Sequence, residues 1–173
     1  MRVLKATILT AACLAALAAR AEGPGLGQPL SPEEIPFYAT HILPDGTGLP
    51  EGGGTAVEGA ELFATLCAAC HGETGIEGPI EPVVGPNETF ARPAGRYWPY
   101  ATTLFDYTRR SMPFHQPKSL EDDEVYAVTA YILHRNGLIG ENERMDSESL
   151  PAVVMPNREN VISLWDLQGD EPY

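Results

Sequence analysis

The sequence is poor in cysteine, in basic residues and in long apolar runs. It has three cysteines, too few for a four-thiolate zinc site. Its 11 lysines and arginines face 24 acidic residues, which argues against nucleic acid or an anionic membrane as a partner. Such a charge favours a basic docking patch on another protein, although it also serves solubility alone. The uncharged run from Ala6 to Ala19 is too short to span a bilayer, which takes about 20 residues.

That apolar run has the features of a secretory signal peptide, because two basic residues precede it and Ala19-Arg20-Ala21 matches the A-x-A cleavage pattern. Cleavage after Ala21 would remove three of the 11 basic residues and no acid, leaving eight against 24 and a formal charge of −16. It would also remove Cys13. A lipoprotein interpretation of Ala11-Ala12-Cys13 is weaker, because the apolar run continues beyond the cysteine. The sequence therefore predicts an exported protein located in a periplasm.

The other two cysteines lie in Cys67-Ala68-Ala69-Cys70-His71. A C-x-x-C-H run is typical of a site where two thiols bond covalently to the vinyl groups of a haem and the histidine ligates the iron. On a helix, residues three and four apart share a face, so Cys67, Cys70 and His71 can all address one flat macrocycle. Small residues between them let the haem lie close. The motif predicts one covalently bound haem c with His71 as an iron ligand.

Two other chemistries use closely spaced cysteines. A thioredoxin-type redox pair requires a βαβ surrounding, whereas the residues before Cys67 have a helical pattern. A structural zinc site requires four N or S ligands, and beyond the motif the mature chain offers only His41, His115 and His134 at irregular distances. Haem is therefore the favoured interpretation.

Apolar periodicity predicts three helices, and the length of the mature chain predicts one domain, so we expect a small all-α domain. The first begins at Thr55 and delivers Cys67 to the haem; the second covers 101–111; the third opens at Ser119 and closes at Asn136-Gly137. Gly59 lies inside the first helix, where glycine costs about 1 kcal/mol relative to alanine, so we expect another element to approach closely there. The natural candidate is the last helix, whose predicted buried face comprises Val125, Ala127, Val128, Tyr131 and Ile132.

The chain divides into four segments by composition. These are a signal peptide (1–21), an N-terminal arm (22–54), a haem-binding domain (55–140) and a C-terminal extension (141–173) that we expect to wrap the domain. The arm has a helix start at Ser31-Pro32-Glu33-Glu34-Ile35. We expect it to pack over the core because it carries apolar side chains to bury, namely Ile35, Phe37, Tyr38, Ile42 and Leu43.

A methionine could supply the second axial ligand of the iron. Met1 belongs to the signal peptide and Met145 lies in an acidic stretch, whereas Met112 and Met155 both precede a proline. Proline disfavours helix for the residue before it, so the thioether would be presented from a helix end. Met112 is favoured over Met155 because it precedes the last strong helix, and the alternative is that methionine fills a gap in the core. Met/His ligation raises the potential of a c-type haem.

The Gly- and Pro-rich segment 72–86 should supply a carbonyl that accepts the second ring N–H of His71. Pro79 and Pro82 are equal candidates for it. Further on, four residues are candidates for contacts to the haem propionates, and core packing is the alternative role for at least two of them. They are Arg96, Tyr97, Trp98 and Tyr100.

Several motifs together resemble class I c-type cytochromes: Gly59-x-x-Leu62-Phe63-x-x-x-Cys67-x-x-Cys70-His71-Gly72, the Met112-Pro113 step and Ala130-Tyr131-Ile132. More narrowly, four stretches are similar to the cytochrome subunit of Sox/Sor-type sulfite or sulfur dehydrogenases. They are Pro44 to Pro50, Tyr97 to Tyr107, Ser111-Met112-Pro113-Phe114 and Met155-Pro156-Asn157-Arg158. The resemblance runs from about Gln28 to Asn160.

The resemblance implies a class I cytochrome c fold in which Cys67 and Cys70 attach the haem and His71 and Met112 ligate it. Such subunits accept electrons from a molybdenum-cofactor partner that oxidises sulfite or protein-bound sulfane sulfur, and they pass them to a downstream cytochrome or oxidase. Some relatives carry a second haem domain, whereas this chain has one C-x-x-C-H. Two alternatives stay open: a free shuttle serving several partners, and a haem enzyme such as a peroxidase or thiosulfate dehydrogenase. The favoured hypothesis assigns the chain no catalytic residue.

Overall fold

The structure is a computed structural model that describes residues 26–38, 40–85 and 92–162. The predicted signal peptide and the side chain of Phe37 lie outside the described part. The chain forms two compact units that divide after Tyr38. In the first unit, helix α1 (Ile35–Tyr38) follows a turn in which the Ser31 carbonyl accepts the N–H groups of Glu34 and Ile35 at 3.0 and 3.1 Å. In the described ranges, no helix combines the length and the apolar character that crossing a bilayer requires.

The second unit is built from helices, as the sequence predicts. They are α2 (Ala56–Leu66), α3 (Ala68–His71), α4 (Ala94–Tyr97), α5 (Ala101–Ser111) and α6 (Asp122–Arg135). Two short strands, β1 (Gly53–Gly54) and β2 (Met145–Asp146), pair antiparallel with Gly53 opposite Asp146. Two 3₁₀ turns follow at Leu150–Ala152 and Arg158–Asn160. The predicted helix over 101–111 is confirmed at both ends.

Side-chain caps fix where helices α2 and α6 begin. Thr55, where the sequence predicts the start of the helix, is the N-cap of α2: its Oγ1 accepts the Glu58 N–H at 3.4 Å, and the Glu58 carboxylate accepts the Thr55 N–H at 2.8 Å. The prediction that the last helix opens at Ser119 was wrong. Helix α6 begins at Asp122 because Glu121 forms a reciprocal cap with Glu124, whose carboxylate accepts the Glu121 N–H at 2.9 Å. The predicted C-terminal end is confirmed, with Asn136 as the cap and Gly137 at φ +74°.

Helices α2 and α6 cross at Gly59, which confirms the predicted use of that glycine. A Cβ atom at Gly59 would lie 1.9 Å from the Ala127 carbonyl oxygen and 2.9 Å from the Tyr131 Cβ. The two backbones are therefore in direct contact, and a side chain of any size would push them apart. Phe63, one turn further along α2, continues the contact with its ring centroid 4.8 Å from that of Tyr131.

Helix α6 is the centre of the core, because every residue from Val125 to Leu133 is buried, including all five of the predicted face. The C-terminal extension packs against the same core through Met145, Leu150 and Met155, each at most 1% exposed. Met145 is buried although it lies in a charged, polar stretch, since the pairing of β2 with β1 turns it inward.

The predicted packing of the arm holds in part. Ile42 is 9% exposed and joins the core, whereas Leu43 is 42% exposed. For Ile35 and Tyr38, packing on the core stays a prediction.

Candidate haem site

The C-x-x-C-H motif occupies the junction of two helices. Cys67 ends α2, where its N–H donates to the Phe63 carbonyl at 2.9 Å, and α3 then carries the motif to His71. The N–H groups of Cys70 and His71 both donate to the Cys67 carbonyl, at 3.1 and 3.0 Å. The three motif residues, Cys67, Cys70 and His71, therefore lie within one helical turn.

Both motif cysteines are free thiols, Cys67 half-buried and Cys70 exposed. Burial, with a smaller contribution from the neighbouring Cys70, raises the pKa of the Cys67 thiol to about 11. Two unpaired thiols three residues apart are what a doubly attached haem needs. The four-ligand set of a structural zinc site is not found within the described ranges.

The ring of His71 is held by the loop that follows it, as the sequence predicts. Its Nδ1 lies 2.9 Å from the carbonyl oxygen of Glu81. Because a carbonyl can only accept, Nδ1 carries the proton and Nε2 is the nitrogen with a free lone pair. Neither Pro79 nor Pro82 supplies the acceptor, so the restriction to those two prolines was wrong: the carbonyl belongs to Glu81, the residue before Pro82.

Backbone hydrogen bonds fix this loop against the motif. The Ile80 N–H donates to the Cys70 carbonyl at 3.1 Å, next to the Glu81 acceptor. Further on, the N–H groups of Val83 and Val84 both donate to the Gly75 carbonyl, at 2.8 and 3.0 Å. The acceptor of the His71 proton is thus anchored on both sides.

The methionines differ in how far the protein encloses them. Met145 and Met155 are 0% and 1% exposed and belong to the hydrophobic core. Met112 is the residue after α5, where its N–H caps the helix by donating to the Thr108 carbonyl at 3.0 Å, and it is only partly buried. The thioether of Met112 is therefore accessible to a bound group, whereas the thioether of Met155 would have to leave the core to reach one.

The four residues considered for the haem propionates have different surroundings. Trp98 packs edge-on against the Tyr107 ring at 5.1 Å, and the Tyr100 ring lies 4.6 Å from the Arg158 guanidinium. The Tyr97 hydroxyl accepts a hydrogen bond from Arg92 at 3.2 Å.

Arg96 is different from these three aromatic residues, because its Nε is buried and has no hydrogen-bond partner in the described part of the chain. A buried guanidinium nitrogen of this kind needs an acceptor. A haem propionate would supply one. The donor set as a whole therefore fits a c-type haem: two thiols, an imidazole with Nε2 available, a thioether, and an arginine whose Nε has no partner among the described residues.

Comparison with known proteins points the same way. A family model described as cytochrome C oxidase, cbb3-type, subunit III matches residues 54–132. Among solved structures, the sulfane dehydrogenase SoxCD from Paracoccus pantotrophus contains a similar chain. The identity is 36%, the match covers 87% of this chain and 80% of that one, and the TM-score is 0.72.

Curated relatives include the thiosulfate dehydrogenases of Psychrobacter arcticus, 30% identical over 66% of this chain, and of Stutzerimonas stutzeri, 29% identical over 58%. This chain spans about a third of the length of these relatives, 36% and 32% respectively. The extensive match to the SoxCD chain, together with the cytochrome model over α2 to α6, shows the family. The chain belongs to the class I c-type cytochromes, electron-transfer proteins with haem c, and is related to SoxCD and to thiosulfate dehydrogenases.

Proposed function

We propose that the protein is a periplasmic monohaem cytochrome that accepts single electrons as a subunit of a molybdenum-cofactor sulfite or sulfur dehydrogenase. The observation that carries this proposal is the extent of the likeness to the SoxCD chain. The cytochrome model ends at residue 132, whereas the likeness covers 87% of this chain. It therefore takes in segments outside the cytochrome domain, which a generic electron shuttle would not need to share.

In this proposal Cys67 and Cys70 bind one haem through thioether bonds, and His71 and Met112 hold its iron. The haem supplies one-electron redox chemistry when bound. The Glu81 carbonyl fixes the ring plane and the tautomer of His71, so Nε2 is ready to ligate. With His71 and Met112 both holding the iron, no position would be left open for a substrate, and electron transfer would need little reorganisation.

The acidic surface is suited to a basic docking patch on the dehydrogenase. A formal charge of −13 for the whole sequence, which cleavage of the predicted signal peptide would make more negative, favours fast, salt-sensitive encounter with a cationic partner. The same surface could then present the electron to a downstream cytochrome or oxidase. Export fits this chemistry, because thioether attachment of haem in bacteria follows translocation.

Purification from the native host at ordinary salt tests the proposal. We expect haem c and molybdenum to co-elute in equal amounts, and sulfite or a sulfane-sulfur donor to reduce the haem only in that fraction. A monomeric haem protein with no molybdenum, reduced by several unrelated dehydrogenases, would instead support the free shuttle.

A second function is favoured by the names of the curated relatives, which are thiosulfate dehydrogenases. Haem chemistry of that kind needs an open axial position or a cysteine ligand. Both cysteines of the described part belong to the attachment motif, and Cys13 lies in the predicted signal peptide. Rapid binding of carbon monoxide by the reduced protein, together with direct reduction by thiosulfate in the absence of molybdenum, would favour this function over the first.

A further inference from the structure

The buried side chain of Asn136 connects the last helix to the loop that holds His71. Asn136 is 7% exposed, and its amide has three hydrogen-bond partners. Its Nδ2 donates to the Val83 carbonyl at 3.1 Å and to the Ile132 carbonyl at 2.8 Å, and its Oδ1 accepts the Gly85 N–H at 3.2 Å. Two of the three partners lie in the loop, more than fifty residues away in sequence.

We propose that Asn136 is a positioning residue that sets the hydrogen bond between His71 and Glu81 and thereby the reduction potential of the haem. The inference rests on the proposed role of His71 as an iron ligand. Val83 lies two residues after Glu81, so the amide of Asn136 fixes the loop directly beyond the carbonyl that accepts the His71 proton.

The orientation of the amide follows from its neighbours. Nδ2 faces two carbonyl oxygens, and Oδ1 faces an N–H group. The reversed amide would set an oxygen against two acceptors and an NH₂ against a donor, so only one orientation satisfies all three groups. An aspartate at this position would keep the contact to Gly85 and lose both donations.

The backbone of Gly95 packs closely against the hydrogen bond between Asn136 and Val83. A Cβ atom at Gly95 would lie 2.2 Å from the Asn136 Nδ2 and 2.8 Å from the Val83 carbonyl oxygen. The Gly95 N–H also donates to that carbonyl, at 3.1 Å. Three elements, α4, α6 and the loop, therefore converge on the Val83 carbonyl.

A firm hydrogen bond from Nδ1 makes the imidazole a stronger electron donor, which favours oxidised iron. Loosening the loop should weaken that bond and raise the potential. This consequence distinguishes a positioning role from a purely structural one, because destabilising the fold elsewhere leaves the His71 ring and its acceptor in place.

The test compares Asn136→Asp and Asn136→Ser with Tyr126→Phe in the haem-loaded protein. Tyr126 is a matched control, because it lies on the same helix, is fully buried, and donates its hydroxyl to a distant loop carbonyl, that of Pro50, at 2.9 Å. We expect Asn136→Ser to favour reduction at least threefold, about 28 mV at 59 mV per tenfold change. The negative charge of Asn136→Asp opposes that shift, so the aspartate variant is compared by proton exchange. The exchange of the His71 Nδ1 proton, followed by NMR of the reduced protein, should accelerate at least tenfold. Tyr126→Phe should change neither.

Asn136 variants that keep the wild-type potential and exchange rate would overturn the inference. If neither variant accumulates, native hydrogen exchange of the wild type decides: Gly85 N–H and His71 Nδ1–H should open together across temperature, and independent opening would contradict the linkage. A haem c spectrum of the wild type separates the two proposals. Its absence would refute the proposed function and this inference with it, whereas haem c with an insensitive potential refutes the inference alone.

Discussion

Substituting Gly59 by alanine should destabilise the protein, although alanine is the better helix former. A Cβ at this position would lie 1.9 Å from the Ala127 carbonyl oxygen, whereas nonbonded heavy atoms such as carbons prefer separations of about 3.5–4.0 Å. Relief requires α2 and α6 to separate by well over an ångström, and the obstacle is backbone, which cannot rotate away. The cost is that of overpacking a close helix crossing.

The magnitude follows from two opposing effects. Removing a glycine from a helix interior contributes up to about 1 kcal/mol in favour of folding. Overpacking a well-packed core costs about 1–3 kcal/mol and sometimes more, and a clash with backbone belongs at the upper end. We therefore expect a net loss of about 2 kcal/mol in the free energy of unfolding. For a domain of this size that corresponds to a fall in Tm of roughly 5–10 °C.

Urea and thermal unfolding of the haem-loaded protein measure this loss. Gly140→Ala is the matched control, because a Cβ there would have its nearest neighbour at 3.6 Å and the residue has no positive φ. We expect Gly140→Ala to lie within about 0.5 kcal/mol of the wild type. A Gly59→Ala protein as stable as the wild type would refute the close crossing of α2 and α6.

Three further predictions concern the ligand, the propionates and the core. Met112→Ala should abolish the thioether-to-iron charge-transfer band of the oxidised protein. Met155→Ala should keep the band and lose about 2–5 kcal/mol of stability by creating a core cavity. The opposite result would make Met155 the iron ligand and Met112 the packing residue. Arg96→Gln should lower the reduction potential in a voltammetric titration, because it removes a partly buried cation that favours the electron-rich haem. Arg92→Gln should not, because Arg92 is exposed and hydrogen-bonded to Tyr97. Burial, with Asp146 and Asp122 nearby, raises the pKa of Tyr126 to about 12. The wild type should therefore lose stability as the pH rises from about 10 to about 12, where only the unfolded state ionises this tyrosine. The loss should be smaller in Tyr126→Phe, and the same pH profile for both proteins would contradict the prediction.

Periodicity and stop signals made the helices predictable. The helix over 101–111 is bounded by a proline on each side. The close approach of another helix at Gly59 was predictable because glycine destabilises a helix interior and is usually found there only where space is needed. The start of α6 was mistaken because Ser119 and Glu121 can both cap a helix. The choice depends on whether a side chain three residues later reaches back, as Glu124 does.

The details of the haem site were harder to predict, because they depend on backbone groups. Every residue has a backbone carbonyl, so residue type alone does not identify Glu81 as the acceptor of the His71 proton. The hydrogen bonds of the Asn136 amide could not be predicted from the sequence either. An Asn-Gly pair at the end of a helical pattern predicts a helix end, and it does end α6 here, but its side chain binds a loop that the pattern does not connect to it.

Helix α6 thus meets the haem site at two separate points. Near its middle, Ala127 contacts Gly59 on the helix that delivers Cys67, and at its end Asn136 holds the loop that orients His71. The first contact is a packing constraint and the second a hydrogen-bond constraint on an iron ligand. Perturbing them should therefore have different results: Gly59→Ala should lower stability with little change in potential, and Asn136→Ser should raise the potential. If both substitutions altered stability and potential in fixed proportion, the haem would be responding to the overall integrity of the fold and not to one hydrogen bond.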